Sequence, residues 1–255
     1  MTDIGLALRQ VRYENRAFWR NPAAAFFTFA FPLLFMVIFN VIFAGTGEGA
    51  PGARASDFFT PAIIVFAVIT ATYTNIAMTV SIARDSGVLK RIRGTPLPAW
   101  AYLFGRIAHA VLVALLLVAI VAAFGALVYD VGFPWEHAGA FTLTLAVAAA
   151  SFCALGLAVS ALMPNADAAP AIVNATILPL LFISNVFIRL EDPPAWMDVL
   201  AGIFPVRHFA DAMLAIYSPA MAGVPFDPVD LVVIGAWGVA AVLFSLRFFS
   251  WEPRR

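Results

Sequence analysis

Six long apolar stretches recur along the chain: Ala23–Ala44, Phe58–Ala83, Ile107–Val128, Gly139–Met163, Ala168–Ile188 and Val229–Phe249. Each has the ~20 residues that a helix needs to cross a bilayer. They are continuous apolar runs, not the short alternating segments of a membrane β-barrel. An isolated strand in lipid would also leave its backbone groups unpaired. The pattern predicts an all-α membrane protein with six transmembrane helices. Only Pro164-Asn165-Ala166-Asp167 separates the fourth and fifth spans, which predicts a tight antiparallel pair. No internal repeat or low-complexity linker interrupts the pattern, so residues 1–255 read as one domain.

Two further segments are amphipathic rather than uniformly apolar. Over residues 4–20, Ile4, Leu8, Val11 and Phe18 recur at helical spacing, and Arg9, Arg12, Arg16 and Arg20 recur on another face. With Trp19 as an aromatic anchor, residues 1–22 predict an interfacial helix lying on the membrane surface. Asn21-Pro22 then forms the corner into the first span, with Pro in the first helical turn. The segment 190–228 is long for a connector. Ala195–Leu200 and Val206–Tyr217 read as two short helices parted by Phe204-Pro205. Their apolar stripes (Trp196, Leu200, Phe204, Phe209, Met213, Ile216) predict a helical hairpin dipping into the outer interface, with Trp196, Phe204 and Phe209 as candidate outer-gate residues. His208 is expected to be hydrogen-bonded, with Asp211 as a partner within reach.

Composition agrees with the spans. The chain is 63% hydrophobic and 12% charged, against about half and a quarter in soluble domains. Fifteen basic and 15 acidic residues cancel, so net charge points to no nucleic-acid partner. The single cysteine, Cys153, excludes an intrachain disulfide and a multi-cysteine metal site. Arg residues interrupt the N-terminus before any apolar run, unlike a cleavable signal. Twelve of the 15 basic residues fall in the N-terminal segment, the loop after span two with the foot of span three, and the C-terminus. By the positive-inside rule both termini are cytoplasmic and the protein is multi-pass in the plasma membrane. Arg54, Arg189 and Arg207 fall on the other side, with most of the acids. The loop between spans four and five has no Lys or Arg, so its side follows from alternation alone.

The stretch Arg84-Asp85-Ser86-Gly87-Val88-Leu89-Lys90-Arg91-Ile92-Arg93-Gly94-Thr95-Pro96-Leu97-Pro98 is the most informative. Val88, Leu89 and Ile92 share one face of a short helix, with Lys90, Arg91 and Arg93 around the rest. Gly94 and Pro96 end it. A short, rigid, basic element between two membrane helices suits docking of a cytoplasmic partner, and equally a solvated loop that sets topology. The acid, the Gly, Leu89-Lys90-Arg91 and Thr95-Pro96-Leu97 resemble the signature of ABC-2 type permeases, although Asp85 stands where Glu is commoner. The whole layout resembles that family too. The resemblance implies a coupling loop, 84–98, seated in a separate ABC ATPase subunit through Arg84, Asp85, Gly87, Leu89, Lys90, Arg91 and Arg93. It also implies that ATP and Mg bind the partner ATPase, that this chain binds no cofactor, and that a second permease completes a dimer. An amphipathic drug or lipid is the substrate class that the apolar walls favour.

The chain's own residues bound the alternatives. A P-loop needs Gly before its Lys, and the only Lys, Lys90, follows Leu89. An ion-coupled carrier would need a membrane-embedded carboxylate or an equivalent ion site. An intramembrane serine enzyme would need partners for Ser81, Ser151, Ser160 or Ser184. His109, His137 and His208 lack the spacing of a zinc site, so no metal is expected. Helix-to-helix hydrogen bonds are expected to satisfy Asn40, Thr72 and Thr176. Asn75, Asn174 and Asn185 are candidates for the translocation path. Pro179 is expected to bend span five.

Overall fold

The computed structural model describes residues 3–43, 54–95, 97–188, 193–218 and 226–251, with the side chains of Arg93 and Ala99 left out. Pro96 of the coupling loop and the topology charges Glu48, Arg189, Glu191, Asp192, Arg254 and Arg255 lie outside the described residues, as does Ala44 at the end of the first predicted span. Every regular element among the described residues is helical: α1 (Asp3–Trp19), α2 (Pro22–Phe43), α3 (Ala55–Ile69), α4 (Asn75–Asp85), α5 (Val88–Arg93), α6 (Ala99–Tyr129), α7 (Ala138–Leu162), α8 (Ala169–Ile183), α9 (Ala195–Ile203), α10 (Pro205–Tyr217) and α11 (Pro228–Phe248). A π-helical turn, Thr70–Thr74, joins α3 to α4 without a break, and a 3₁₀ turn, Trp135–His137, precedes α7.

Local chemistry sets several helix starts. Asn21 Oδ1 accepts from the Ala24 amide at 3.2 Å, capping α2 ahead of its first-turn proline. Asp57 Oδ2 accepts from the Arg54 amide at 2.9 Å at the head of α3. Asp227 Oδ1 accepts from the Val229 amide at 2.8 Å at the head of α11.

The continuous helix of α3, the π turn and α4 is the buried column of the bundle. α2, α6, α7 and α10 pack around it, while α2 and α11 turn most of their surface outward. Small residues let the helices approach closely. A Cβ on Gly156 of α7 would stand 2.6 Å from the Tyr73 carbonyl oxygen, and one on Gly238 of α11 would stand 2.4 Å from Ser151 Oγ. Backbone contact of this kind fixes α7 against both the column and α11.

Among the described residues five helices are long and apolar enough to cross a membrane: α2, α3–α4, α6, α7 with its 3₁₀ turn, and α11. The fifth predicted span, Ala168–Ile188, is different. Its helix α8 has 15 residues, or about 22 Å at 1.5 Å per residue, short of a ~30 Å core. The chain leaves the helix through Asn185, which is left-handed at φ 56°, and the Val186 amide returns to the Leu181 carbonyl at 3.3 Å. That is a Schellman termination. It hides inside an apolar run, so hydropathy does not see it. α9 and α10 meet at Phe204 with a 91° bend, and together have the length and composition of one further span.

Hydroxyls and amides inside the bundle mostly bond within their own helix, contrary to the interhelical expectation. Asn40 Nδ2 donates to the Met36 carbonyl at 2.8 Å and Thr72 Oγ1 to the Val68 carbonyl at 2.6 Å. A carbonyl one turn earlier is always within reach. Thr176 does both: it donates to the Ile172 carbonyl at 2.8 Å and meets the Tyr73 hydroxyl at 2.5 Å, tying α8 to the π turn.

Candidate functional site

The corner between α4 and α5 is where the seven predicted coupling residues gather, and the six with described side chains divide into two groups. Gly87 supplies the turn: its φ is +70°, a conformation that a side chain strains. From it α5 runs back along the bundle. Leu89 is fully buried, and Val88 and Ile92 pack into the same apolar cluster with Ile76, Tyr102 and Cys153. The face shared by these three residues is thus the anchoring face. Lys90 and Arg91 are exposed on the other. The Arg91 guanidinium reaches back to the Ser86 carbonyl at 3.1 Å and braces the corner.

Arg84 and Asp85 turn inward rather than toward solvent. Arg84 is 1% exposed; Nη1 donates to the Ser160 carbonyl at 2.8 Å and Nη2 to the Met163 carbonyl at 2.6 Å. Those oxygens sit at the C-terminus of α7, where backbone carbonyls lack helical partners and the helix dipole is negative. Asp85 Oδ2 accepts from the Ala166 amide at 3.0 Å. An Arg–Asp pair in sequence therefore clamps the α4–α5 corner onto the α7–α8 turn. The same bonds put that turn at the end of the bundle that carries α5.

At this basic end α1 lies along the base of α6. Ala7 is buried, Gln10 fills the space left by Gly105, and Glu14 pairs with Arg106 at 3.4 Å. Phe18 packs on His109 with ring centroids 5.4 Å apart. Phe18 thus belongs to the protein-facing side of α1, whereas Ile4 and Leu8 are outward and exposed. Sequence reading missed Gln10 and Glu14. Their signal was the spacing of Ala7, Gln10, Glu14 and Phe18, a stripe beside the apolar one. Glu14, Phe18, Asn75, Thr79, Arg106 and His109 border a cavity of about 350 Å³.

At the opposite end, the α9–α10 elbow enters the bundle. Trp237 Nε1 donates to the Ile203 carbonyl at 2.8 Å, and its ring stacks on Phe204 at 5.5 Å. Trp237 is the tenth residue of α11, about 13 Å along its axis. The three gate candidates do not share a surface. Trp196 is exposed, Phe204 holds the elbow, and Phe209 is buried against Phe152 at 5.9 Å. Below the elbow is an apolar cavity of about 460 Å³ bordered by Tyr73, Phe152, Thr176, Phe204 and Trp237. His208 pairs with Asp230 at 2.6 Å and with the Gly202 carbonyl at 2.9 Å. Asp211, its expected partner, pairs instead with Arg207 at 2.6 Å, one helical turn away. Arg207 also meets Asp198 at 3.5 Å, so charges join α9, α10 and α11.

The three path candidates lie apart. Asn75 borders the basic-end cavity, Asn174 is exposed on α8, and Asn185 sits past its end. Pro179 lies within α8. Among the described residues no cluster of three or more His, Cys, Asp or Glu could hold a metal.

Comparison with known proteins fits this layout. The sequence matches the ABC-2 type transporter family over residues 9–217. A probable multidrug ABC transporter permease of Escherichia coli K12, YbhR, is 30% identical over 162 residues, which are 63% of this chain and 43% of that protein. The chain thus aligns with less than half the length of this relative. The daunorubicin resistance ABC transporter permease protein DrrB1 of Streptomyces coeruleorubidus is 28% identical over 249 residues, 96% of this chain and 85% of that one. Five long apolar helices, a basic α4–α5 corner and a match running from Arg9 to Tyr217 make the chain a multi-pass membrane protein of the ABC-2 type transporter family.

Proposed function

We propose that the chain is the permease subunit of an ATP-driven exporter and that α5, with its flanking corner, is its coupling element. The observation that carries this is the two-sided construction of α5. Leu89, Arg84 and Asp85 fasten it to α4, α6, α7 and the α7–α8 turn, while Lys90 and Arg91 face outward. A push on the exposed face would reach the bundle without being lost in a loose loop. The pusher is a separate ABC ATPase subunit, which binds ATP and Mg. In this division Lys90, Arg91 and Arg93 recognise the ATPase, and Arg84, Asp85, Gly87 and Leu89 set the element rigidly behind them.

A second permease would complete the pathway, with Asn174 and the outward side of α8 available to it. The amphipathic drug or lipid-like substrate assigned to the pathway accords with the printed names of the multidrug and daunorubicin permeases. Both termini are cytoplasmic in this reading and the membrane is the plasma membrane. α1 then lies in the inner interface. On a helical wheel its protein-facing residues Ala7, Glu14 and Phe18, its exposed Ile4, Leu8 and Trp19, and its Arg9, Arg12 and Arg16 occupy successive sectors. That order suits a helix with one side on protein, one in lipid and one on anionic head groups. The α9–α10 elbow, held at Trp237, would be a re-entrant outer gate.

The test is charge reversal at Lys90 and Arg91 in the complex with its ATPase. Transport is expected to fall by an order of magnitude or more while ATP hydrolysis continues, because reversed charges at a docked surface repel. Transport coupled as in the wild type would refute the role of α5.

A further inference from the structure

The cavity at the basic end has chemistry that docking an ATPase does not require. Its wall carries one acid, Glu14, and one base, Arg106, paired at 3.4 Å with side chains 18% and 15% exposed. The pair is close enough for charge attraction. Yet Arg106 Nε, the atom that faces Glu14 Oε1, does not donate to it in hydrogen-bond geometry, and among the described residues His109 Nδ1 has no hydrogen-bond partner, although both atoms are buried. His109 itself is 6% exposed. Buried polar atoms left unpaired are costly, and a cavity of about 350 Å³ is within the range of small-molecule sites. Asn75 and Thr79 add hydrogen-bonding groups to the same wall, and Phe18 and Ile82 add apolar surface.

The charges select the ligand. A simple cation placed on Glu14 would compete with Arg106 and leave a buried guanidinium unpaired. A simple anion placed on Arg106 would leave Glu14 with only its bond from Gln10 Nε2 at 3.0 Å and no cation beside it. Removing one partner of a buried pair is strongly unfavourable. A zwitterion avoids both costs, since its ammonium faces Glu14 while its anionic oxygens take Arg106 Nε and the free histidine nitrogen. We propose that this cavity binds a zwitterionic ammonium–phosphate head group of the phosphoethanolamine type. A primary ammonium matters, because its N–H groups can donate to Glu14. Ser86 and Val88 of the α4–α5 corner form part of the same wall, so an occupied site braces the corner against α1 and α6.

Such a head group reaches the site either on a phospholipid or as a soluble phosphodiester, and one experiment separates them. The full chain is purified in detergent, and binding of phosphatidylethanolamine, phosphatidylcholine and phosphatidylglycerol is measured by native mass spectrometry. Soluble glycerophosphoethanolamine is titrated in parallel. Phosphatidylethanolamine is expected to bind about tenfold or more tighter than either other lipid, because each lacks one charge-assisted contact. Glu14→Gln is expected to remove that preference, Arg106→Gln to weaken phosphatidylethanolamine binding about tenfold or more, and Glu136→Gln, exposed at the opposite end, to change neither. His109→Phe breaks no existing hydrogen bond of Nδ1, so it serves if the first two variants misfold. It is expected to weaken the preferred lipid about threefold or more. Binding of the soluble compound with the same dependence on Glu14 supports the site with a soluble source. Equal binding of the three lipids with no binding of the soluble compound overturns the proposal. So does a preference that survives in folded Glu14→Gln, or, where the first two variants misfold, phosphatidylethanolamine binding that is not weakened in His109→Phe.

Discussion

Replacing Arg84 by Met tests how firmly the α4–α5 corner is held. The substitution keeps most of the apolar stem and removes the guanidinium that donates to Ser160 and Met163. Hydrogen bonds from a charged donor contribute about 1.5–3 kcal/mol each, so two give roughly 3–6 kcal/mol. Part of that is offset, because a buried cation carries a desolvation penalty that Met does not. A net loss of about 3 kcal/mol in local stability follows. Each 1.4 kcal/mol is a factor of ten, so local opening should become on the order of a hundredfold more frequent. The readout is amide hydrogen exchange over residues 84–93 in detergent or nanodiscs. Arg84→Lys should recover only part of the protection, on the order of tenfold, since one ammonium cannot span two carbonyls as a planar fork does. Exchange in Arg84→Met within twofold of the wild type would refute the clamp.

Other contacts give sharper contrasts. Gly156→Ala forces a Cβ to within 2.6 Å of the Tyr73 carbonyl and is expected to cost about 1–3 kcal/mol, lowering the thermal midpoint. Gly235→Ala, which meets nothing within 4 Å, should be neutral or stabilising by about 0.5–1 kcal/mol. A double-mutant cycle of Tyr73→Phe with Thr176→Val should return a coupling of about 1 kcal/mol; strictly additive effects would show that the 2.5 Å contact contributes nothing. Asp230→Asn weakens the pairing with His208 and should speed exchange in residues 205–217 by about tenfold or more, while Asp227→Asn, which touches only the first turn of α11, leaves that segment protected.

The hydropathy pattern was enough to find the five long helices, because lipid demands continuous apolar runs, and it missed by more than a few residues only at the start of α6, which begins at Ala99 and not Ile107. It failed at α8 for a specific reason. Asn185 ends that helix by its backbone conformation, and an apolar run carries no trace of that. Amphipathic spacing found α5 and its buried face of Val88, Leu89 and Ile92. The family resemblance put Arg84 among the residues seated in the ATPase, although it is buried in the bundle. Only the carbonyls of α7, about 80 residues away, reveal its burial. The same distance problem hid His208–Asp230, 22 residues apart, behind the nearer Asp211. On α1 the stripe Ala7, Gln10, Glu14, Phe18 was present in the sequence, but the Arg face next to it drew the reading toward lipid alone. The Glu14–Arg106–His109 cluster needed α6 laid alongside.

The π turn at Thr70–Thr74 makes the central column a phased object. A π turn holds one residue more than an α turn, so the two halves of the column are offset by one residue's worth of rotation, about 100°. Above it the column is almost wholly apolar; below it Asn75 and Thr79 point to the basic-end cavity while Arg84 and Asp85 meet the α7–α8 turn. Deleting one residue there would let the turn revert to α geometry with the lower half still aimed as it is, whereas deleting one from the α-helix on either side would turn that half by about 100°. For alignment, a one-residue gap belongs in this segment, the one place in the column where it leaves both halves in phase. For grafting, the two halves are exchangeable only together with the turn that sets their angle.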